Sequence, residues 1–425
     1  MTILVFLGAL LGAMAIGVPI AFALLICGVA LMWHLALFDP QILAQNLING
    51  ADSYPLLAVP FFMLAGEIMN AGGLSRRIVN LALAVVGHIR GGLGYVTIIA
   101  ACLLAALSGS AMADAAALTA LLLPMMVAAG HDKARSAGLI ASAGIIAPVI
   151  PPSIGFVVFG VAANVSISKL FLAGIVPGLM LGASLWITWW WLARREDAMP
   201  PTRKSFADVL TALHRASWAL VLPFIIIVGL KMGAFTPTEA GVVAAVYALF
   251  VTTVVHRELK LSQLYRVFVS AAKTSAIVMF LVAASMVSAW LITVAGLPAL
   301  VVSLVQPLMD NPTLLMLAIM LLVMVVGTAM DMAPTILILT PVLMPVVKTA
   351  GIDPVYFGVL FMINCAIGLI TPPVGTVLNT VAGVGRISVD AVTRGVMPFM
   401  LAQFILLLLL TVFPKLVLVP ASWFY

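Results

Sequence analysis

The stretch APVIPPS, residues 147–153, lies inside a longer apolar segment, GIIAPVIPPSIGFVVFG. The flanks are apolar enough for a bilayer, but proline has no backbone N–H and clashes with the preceding turn of a helix. A second apolar segment, CAIGLITPPVGTVLNTV, is interrupted in the same way at Pro372-Pro373. The two segments therefore predict two broken helices, over residues 136–163 and 355–383.

The composition is that of a membrane protein. The chain has 425 residues, of which 64% are hydrophobic and 8% charged, and its mean hydropathy is +1.27. Apolar runs of roughly 20 residues, the length of a transmembrane helix, recur along the chain. We therefore expect an all-α integral membrane protein with about a dozen transmembrane segments.

The net charge of +6 comes largely from loops. Basic residues are densest in 193–215, and the segment HRELK follows at 256–260. The positive-inside rule places both segments in the cytoplasm, so the charge gives no reason to expect nucleic acid as a partner. The segment 72–94 combines basic residues with amphipathic spacing, which suits a helix lying along the interface, on a side that the sequence leaves open.

The two halves of the sequence share an ordered set of landmarks. Sliding the chain along itself by 221 residues aligns Pro124 with Pro345, Gly130 with Gly351, Asp132 with Asp353, Pro151-Pro152 with Pro372-Pro373, Gly174 with Gly395 and Pro177 with Pro398. An ordered repeat of this kind predicts two copies of one structural unit. We place the first repeat at 1–200, a cytoplasmic linker at 201–215 and the second repeat at 216–425.

Each half also carries a candidate re-entrant hairpin before its broken helix. The first covers 102–126, with Ser108-Gly109-Ser110 at its tip, and the second covers 314–347, with its tip at 327–331. The arms are expected to be too short to span the bilayer comfortably. Interrupted helices at matching positions of repeated halves predict a secondary transporter whose binding site lies where the halves meet. Freed carbonyls can coordinate a cation, and half-helix N-termini favour an anion.

Other classes of protein fit the sequence less well. An ion channel would show a symmetric pore helix and filter rather than two related hairpins in one chain. An enzyme would need a nucleophile or a metal set, but the five histidines are scattered and no H-E-x-x-H or G-x-S-x-G motif occurs. We therefore predict that the chain is not an enzyme and has no cofactor.

Several long motifs resemble the large membrane subunit of tripartite ATP-independent periplasmic (TRAP) transporters. They are PFFMLAGEIMNAGGLSRRI (60–78), SGSAMADAAA (108–117), IAPVIPPSIGFVVFG (146–160), FTPTEAG (235–241) and GLITPPVGTVLN (368–379). The resemblance covers essentially the whole chain. It implies two inverted repeats, each with a hairpin and a broken helix, in an elevator-type fold similar to the ion transporter superfamily.

The same resemblance implies a function and partners. It implies sodium-coupled uptake of a small organic acid across the bacterial inner membrane, with a small four-helix TRAP membrane subunit and a periplasmic substrate-binding protein as partners. The longest motifs look most like the sugar-acid branch, such as diketogulonate carriers. The alternatives left open are a carrier of the wider superfamily that works without a binding protein, and proton coupling.

Site residues are also implied by the resemblance, position by position. The sodium ligands it implies are Ser108, Ser110, Ala147, Ile150 and Pro152 in the first repeat, and Gly327, Asp331, Gly368, Thr371 and Pro373 in the second. The substrate would lie near Ser153, Asn164, Thr376 and Asn379. No basic residue falls inside either motif, so Arg386 is the nearest candidate for a carboxylate partner, against the simpler interpretation of a charge at a helix end.

Three other acidic residues need an interpretation. Asp114 either caps the second arm of the first hairpin or supports the ion site. Glu239 fits a capping box with Thr236 as N-cap and Pro237 at the first helical position, which predicts a structural role. Glu67 lies near the predicted end of a span and is expected to belong to the scaffold.

Overall fold

The computed structural model describes residues 2–196, 199 and 201–424, and every regular element among them is helical. The first half contains α1 (Thr2–Ala15), α2 (Ile20–His34), α3 (Pro40–Ala51), α4 (Ala58–Ala71), α5 (Leu74–Val86), α6 (Gly92–Ser108), α7 (Ala111–Ala128), α8 (Lys133–Gly144), α9 (Ile154–Ala163) and α10 (Ile167–Ala193). The second half contains α11 (Phe206–Lys231), α12 (Pro237–Phe250), α13 (Leu261–Val294), α14 (Leu297–Val305), α15 (Pro312–Gly327), α16 (Met332–Thr349), α17 (Pro354–Gly368), α18 (Thr376–Gly385), α19 (Val389–Val412) and α20 (Lys415–Ser422).

The helices confirm the expected all-α membrane fold. Within the described ranges, eight helical segments are long and apolar enough to cross a bilayer, by length and composition, and shorter apolar helices accompany them. Both predicted broken helices are present: α8 and α9 flank the first break, and α17 and α18 flank the second. Both proline pairs, Pro151-Pro152 and Pro372-Pro373, contain a cis peptide bond.

The landmarks of the repeat have matching local roles in the two halves. Gly130 and Gly351 both adopt left-handed backbone conformations, with φ of +94° and +68°. Two residues further on, Asp132 and Asp353 are the N-caps of α8 and α17, and each carboxylate accepts a hydrogen bond from a backbone N–H of the first turn. Glycine tolerates positive φ, and aspartate is a preferred N-cap. The aligned residues of the two halves therefore form structurally equivalent turns before the two broken helices.

The hairpins differ from the prediction in length. The first arm of hairpin one is α6, which begins at Gly92, ahead of the predicted start at 102. The second arms, α7 and α16, have 18 residues each and are among the helices long enough to cross a bilayer. The expectation of short arms is therefore wrong for α7 and α16.

The boundaries at 1–200, 201–215 and 216–425 stay a prediction. Within the proposed linker, α11 already begins at Phe206. Asp208 accepts a hydrogen bond from the Ser205 N–H at 3.1 Å, which belongs to a capping box and explains why the helix starts there.

The interfacial segment is shorter than predicted. The amphipathic helix α5 covers Leu74–Val86, and residues 92–94 already belong to α6. The buried face of α5 includes Ile78 and Val79, whereas Arg76 and Asn80 are exposed. Packing of the apolar face against α6 and α11 holds α5 on the body of the protein. We call α5 the arm helix of the first repeat.

The two repeats are interleaved in the core. Helix α8 of the first repeat crosses α19 of the second at Gly138 and Gly395, where a methyl group on either glycine would overlap the other helix's backbone. In addition, α7 packs along α18 and α16 packs along α9. Each hairpin therefore contacts the half-helix that follows the other repeat's break.

A polar cluster joins the end of α10 to the loop between α7 and α8. Glu196 Oε2 lies 2.6 Å from His131 Nδ1, and Glu196 Oε1 lies 2.5 Å from an Arg135 guanidinium nitrogen. Burial opposes ionisation of Glu196. The hydrogen bond and charge of His131, followed by the charge of Arg135, outweigh burial and hold the pKa of Glu196 below its ordinary value.

Replacing Glu196 by Gln is expected to lower stability at neutral pH by about 1 kcal/mol, because the ion pair with Arg135 is lost. Since the folded pKa of Glu196 is depressed, its contribution is fully present above the unfolded value of about 4.3 and is lost as the pH falls through the folded pKa. Thermal unfolding in detergent, recorded at neutral pH and near pH 3.5, checks this. Glu258→Gln is the control, because its pair with Arg77 is more exposed. A deficit for Glu196→Gln that is independent of pH would contradict the assignment.

Candidate functional site

The tip of the first hairpin closes directly on the first helix break. Gly109 separates α6 from α7 with φ of +60°, and a methyl group on it would lie 2.6 Å from the Pro152 carbonyl oxygen. Only glycine combines this conformation with so close an approach of two backbones. The contact brings Ser108 and Ser110 to the break that contains Ala147 and Pro152. The structure therefore places the tip that carries Ser108 and Ser110 against Pro152 of the break, and the cation ligands of this set stay a prediction.

Several backbone carbonyls of the first break are available. Within the described part of the chain, no hydrogen bond ends on the carbonyl oxygens of Ala147, Ile150 or Pro152. All three residues are buried. A buried carbonyl without a donor is costly in a protein interior and is a suitable ligand for a hard cation.

The second tip meets the second break in the same way. A methyl group on Gly368 would lie 2.8 Å from the Gly327 carbonyl oxygen, and the Val374 N–H donates to the Thr328 carbonyl at 3.4 Å. Asp331 is the N-cap of α16, where its Oδ1 accepts a hydrogen bond from the Met332 N–H at 2.8 Å.

At the second break, unlike the first, one of the predicted carbonyl ligands already accepts a hydrogen bond. The Gly368 carbonyl accepts a hydrogen bond from the Thr371 N–H at 3.1 Å, and the Thr371 hydroxyl donates to the Ile367 carbonyl at 2.8 Å. Among the described residues, no hydrogen bond ends on the carbonyls of Thr371 or Pro373. Of the second set of predicted ligands, Gly327 and Gly368 are thus in contact, and Pro373 is exposed where Pro152 of the first break is buried.

Asp114 supports the first tip and does not cap it. The N-cap of α7 is Ser110, whose hydroxyl accepts from the Ala113 N–H at 3.4 Å. Asp114 instead accepts a hydrogen bond from the Ser108 hydroxyl at 2.5 Å, and the Ser108 oxygen accepts one from the Ser110 N–H at 3.2 Å. The second carboxylate oxygen of Asp114 is buried, with no hydrogen-bond partner in the described structure. Of the two roles expected for Asp114, capping is therefore wrong, since Ser110 is the N-cap, and support of the ion site stays a prediction.

A cavity of about 90 Å³ lies beside the first tip. Ser108, Ser110 and Asp114 line one wall, and Glu67 and Asn70 of α4 line another. Glu67 accepts a hydrogen bond from the Ser270 hydroxyl of α13 at 3.2 Å. No sequence signal indicates that Glu67 faces the hairpin, because helical spacing within α4 does not tell which partner its polar side will meet.

Of the four predicted substrate residues, Ser153 and Asn164 stand at opposite ends of α9. Ser153 is buried and caps α9, and its hydroxyl donates to the Pro148 carbonyl. Asn164 ends α9, a helix of 10 residues, and so lies about 15 Å from Ser153. It lines a separate cavity with residues 53–55 and 236–238.

The remaining two substrate candidates begin the second half-helix. Thr376 opens α18, and its buried hydroxyl has no hydrogen-bond partner among the described residues. Asn379 is exposed, and its amide nitrogen donates to the Val374 carbonyl at 2.9 Å. Thr376 is therefore the substrate candidate with an unused polar group.

Two structural interpretations from the sequence are confirmed. Thr236 and Glu239 form the capping box of α12, with Pro237 at its first position. Arg386 ends α18 in a left-handed conformation, and its carbonyl accepts a hydrogen bond from Lys133 Nζ at 3.1 Å. Arg386 is thus a residue at a helix end, as the simpler interpretation holds.

Comparison with known families gives one match over nearly the whole chain. Residues 7–416 match the model of the DctM family, described as "Tripartite ATP-independent periplasmic transporter, DctM component".

Individual relatives agree with this match. The chain is 58% identical to the 2,3-diketo-L-gulonate TRAP transporter large permease protein YiaN of Escherichia coli, over 100% of both chains. It is 38% identical to the sialic acid TRAP transporter large permease protein SiaM of Vibrio cholerae, over 97% of each. It is also 38% identical to the C4-dicarboxylate TRAP transporter large permease protein DctM of Pseudomonas aeruginosa, over 91% of each.

A solved structure shares the fold at low sequence identity. The YdaH transporter of Alcanivorax borkumensis, described as having an unusual topology, matches with a TM-score of 0.62 at 15% identity. The match covers 87% of this chain and 86% of that one. At this identity the similarity concerns the fold alone.

Replacing Gly109 by Ala is expected to destabilise the protein more than replacing Gly233 by Ala. Both glycines have positive φ, which costs an alanine about 1–2 kcal/mol. Only Gly109 faces another backbone, whereas nothing lies within 4 Å of a methyl group on Gly233. The overlap with Pro152 adds a further loss of about 1–3 kcal/mol. Thermal unfolding midpoints of the two variants measure the difference, and equal midpoints would show that the tip does not close on the break.

Proposed function

Because the chain belongs to the DctM family of TRAP transporters, we propose that it carries out sodium-coupled uptake of a small organic acid. It is a large permease subunit, a multi-pass protein of the inner membrane and, as predicted from its sequence, not an enzyme. The observation that carries the proposal is the closure of both hairpin tips on the two helix breaks, at Gly109 with Pro152 and at Gly327 with Gly368.

The proposed substrate is a sugar acid. The names of the relatives include diketogulonate, sialic acid and C4-dicarboxylate, all of which carry a carboxylate. The diketogulonate permease is 58% identical to this chain, against 38% for the other two. This difference supports a sugar acid over a dicarboxylate.

The proposed sodium sites lie at the two contacts of tip and break. In the first, the hydroxyls of Ser108 and Ser110 and the open carbonyls of Ala147, Ile150 and Pro152 are the oxygen ligands. In the second, the ligands are the carboxylate of Asp331 and the backbone of Gly327, Gly368, Thr371 and Pro373. Oxygen ligands of these types suit a hard cation, and the Asp114 carboxyl group is joined to the first site through its hydrogen bond with Ser108.

The proposed substrate pocket lies at the N-termini of α9 and α18, which follow the two breaks. Unpaired N–H groups and the helix dipole favour a carboxylate there. Thr376 offers an unused hydroxyl at the start of α18, and Ser153 is the N-cap of α9. Asn164 stands at the other end of α9, so we leave it out of the pocket.

Coupling in this proposal is a linkage between sites. The helices α7 and α16 bound the cation sites at their tips and pack on the half-helices α18 and α9, which bound the substrate pocket. Sodium and substrate would then stabilise the same arrangement, so that each raises the affinity for the other. The hairpins and broken helices would move as an elevator against a scaffold that includes the arm α5.

The proposed partners are a small four-helix membrane subunit and a periplasmic binding protein that delivers the acid. Family membership supports both.

Proton coupling is the second candidate, because the unpartnered carboxylate oxygen of Asp114 lies inside the membrane domain, where acidic groups serve as proton carriers.

Uptake of sugar acids into proteoliposomes tests the proposal. The chain and its small partner are reconstituted with and without the binding protein, under an imposed sodium gradient or an imposed proton gradient. We expect uptake only when the sodium gradient and the binding protein are both present. Uptake on a proton gradient alone, or without the binding protein, would replace the proposal with the corresponding alternative.

The cation sites are tested by Ser110→Ala and Asp331→Asn. Each is expected to raise the sodium concentration for half-maximal uptake about tenfold, the effect of losing one hydrogen-bond-strength contact to a charge. Ser110→Ala also removes a helix cap, and Asp331→Asn removes the charge of one, so the matched controls are Ser166→Ala and Asp353→Asn, which do the same to the caps of α10 and α17. Equal sodium activation in the site variants and their controls would rule out the assigned ligands.

A further inference from the structure

A polar cleft lies between the arm helix α5 and the start of α11. Each helix contributes one face, at positions 73, 76, 77 and 80 on α5 and its N-cap, and at positions 208, 211, 212 and 215 on α11. Both sets have the spacing i, i+3, i+4, i+7, which is a single face of a helix. Glu258, in the loop between α12 and α13, completes the cleft.

The cleft is lined by more positively charged than negatively charged side chains. Its charged residues are Arg76, Arg77, Arg215, Asp208 and Glu258. Arg77 forms an ion pair with Glu258, and Asp208 accepts the Ser205 N–H of the α11 capping box. Within the described residues, Arg76 and Arg215 form no ion pair. Two guanidinium groups therefore remain for an anion.

The Arg77–Glu258 pair fixes the geometry of the cleft. Gly73 packs so closely on the Glu258 carboxylate that any side chain there would overlap it. The buried Nε of Arg77 has no hydrogen-bond partner in the described part of the chain, so one donor in the floor of the cleft is unused. Burial, followed by the Arg77 charge, lowers the pKa of the adjacent His256, so this histidine adds little positive charge at neutral pH.

An apolar strip runs beside the polar face of α11. Phe206, Leu210 and Leu213 are 83%, 57% and 43% exposed, and their spacing places them on one neighbouring face of the helix. A small soluble anion has no apolar part that could cover this strip. The acyl chains of a lipid would cover it.

The cleft faces the cytoplasmic leaflet. Helix α11 leaves this side of the membrane and α12 returns to it, so the start of α11 and the Glu258 loop share one side. The basic segment before α11 assigns that side to the cytoplasm. The arm of the second repeat, α14, also follows a glycine with positive φ, at Gly296, but it contains no charged residue. The basic cleft is therefore specific to one arm.

We propose that this cleft binds the phosphate headgroup of an anionic phospholipid, with Arg76 and Arg215 as its cationic ligands and the exposed strip of α11 against its acyl chains. Guanidinium groups donate paired hydrogen bonds to phosphate oxygens. Basic pockets between helices on the cytoplasmic side are suited to such headgroups. A lipid bound here would join the arm, the first helix of the second repeat and the α12–α13 loop.

Native mass spectrometry of the full-length chain in detergent tests the proposal. Phosphatidylglycerol is titrated against the wild type, Arg76→Gln/Arg215→Gln and the control Arg203→Gln/Lys204→Gln, which removes two exposed charges on the same side outside the cleft. We expect the cleft variant to bind phosphatidylglycerol about 20-fold more weakly and the control to change less than about twofold. Phosphatidylcholine is expected to bind weakly to all three.

Three outcomes would overturn the proposal. Equal losses in the cleft variant and the control would indicate general surface charge. Displacement of phosphatidylglycerol by an equal concentration of glycerol 1-phosphate would indicate a site for soluble anions. Unchanged phosphatidylglycerol binding in the cleft variant would show that the arginines are not its ligands.

Single and conservative variants keep the test decisive if the double variant unfolds. Arg76→Gln and Arg215→Gln are then measured separately, and each is expected to weaken binding about fivefold. Arg76→Lys/Arg215→Lys keeps the charge but not the paired hydrogen bonds, so it is expected to bind more tightly than the double Gln variant and more weakly than the wild type. Thermal unfolding of every variant, without lipid, separates loss of binding from loss of fold, and no loss in either folded single variant would contradict the proposal.

Discussion

The architecture depends on one constraint: a backbone N–H or carbonyl within a bilayer must find its partner inside the protein. The proline pairs violate this requirement in two helices, and the hairpin tips meet it by covering the gaps. The cover is close because glycines stand at the contacts, at Gly109 in the first tip and at Gly327 and Gly368 in the second. What the tips leave open are a few carbonyl oxygens, and these are the groups to which we assign the cations.

The interleaving of the two repeats links the open groups to one another. The start of α9 touches Met332 at the second tip through Gly155, and the end of α18 packs on α7 through Gly385. Each hairpin is thus held both by its own break and by a half-helix of the other repeat. Because each hairpin packs on the half-helix of the other repeat, a change of shape at one break moves an element that borders the other break. This mechanical link is the physical basis of the coupling that we propose.

The sequence predicted the features that depend on local chemistry. The broken helices follow from the proline pairs, the turns before them from Gly130, Asp132 and their counterparts, and the α12 capping box from Thr236 and Glu239. The features that it missed depend on tertiary placement. The short α9 carries Asn164 away from the break, α4 turns Glu67 toward the first tip, and Ser110 takes the capping position that was open to Asp114. Residue type gives no information on these distances, because they are set by which helices pack together.

The arm helix α5 carries arginines and α14 carries no charge, and this difference affects how the chain enters the membrane. Two inverted halves of similar hydrophobicity hold no instruction about which end belongs inside the cell, and a protein built only from them could insert in either orientation. The arginines of α5 and of the segment before α11 have no counterpart on α14. Since basic flanks are retained on the cytoplasmic side during insertion, we expect this one-sided charge to give a nearly symmetric fold a single orientation. The residues that line the cleft are thus also part of the signal for biogenesis.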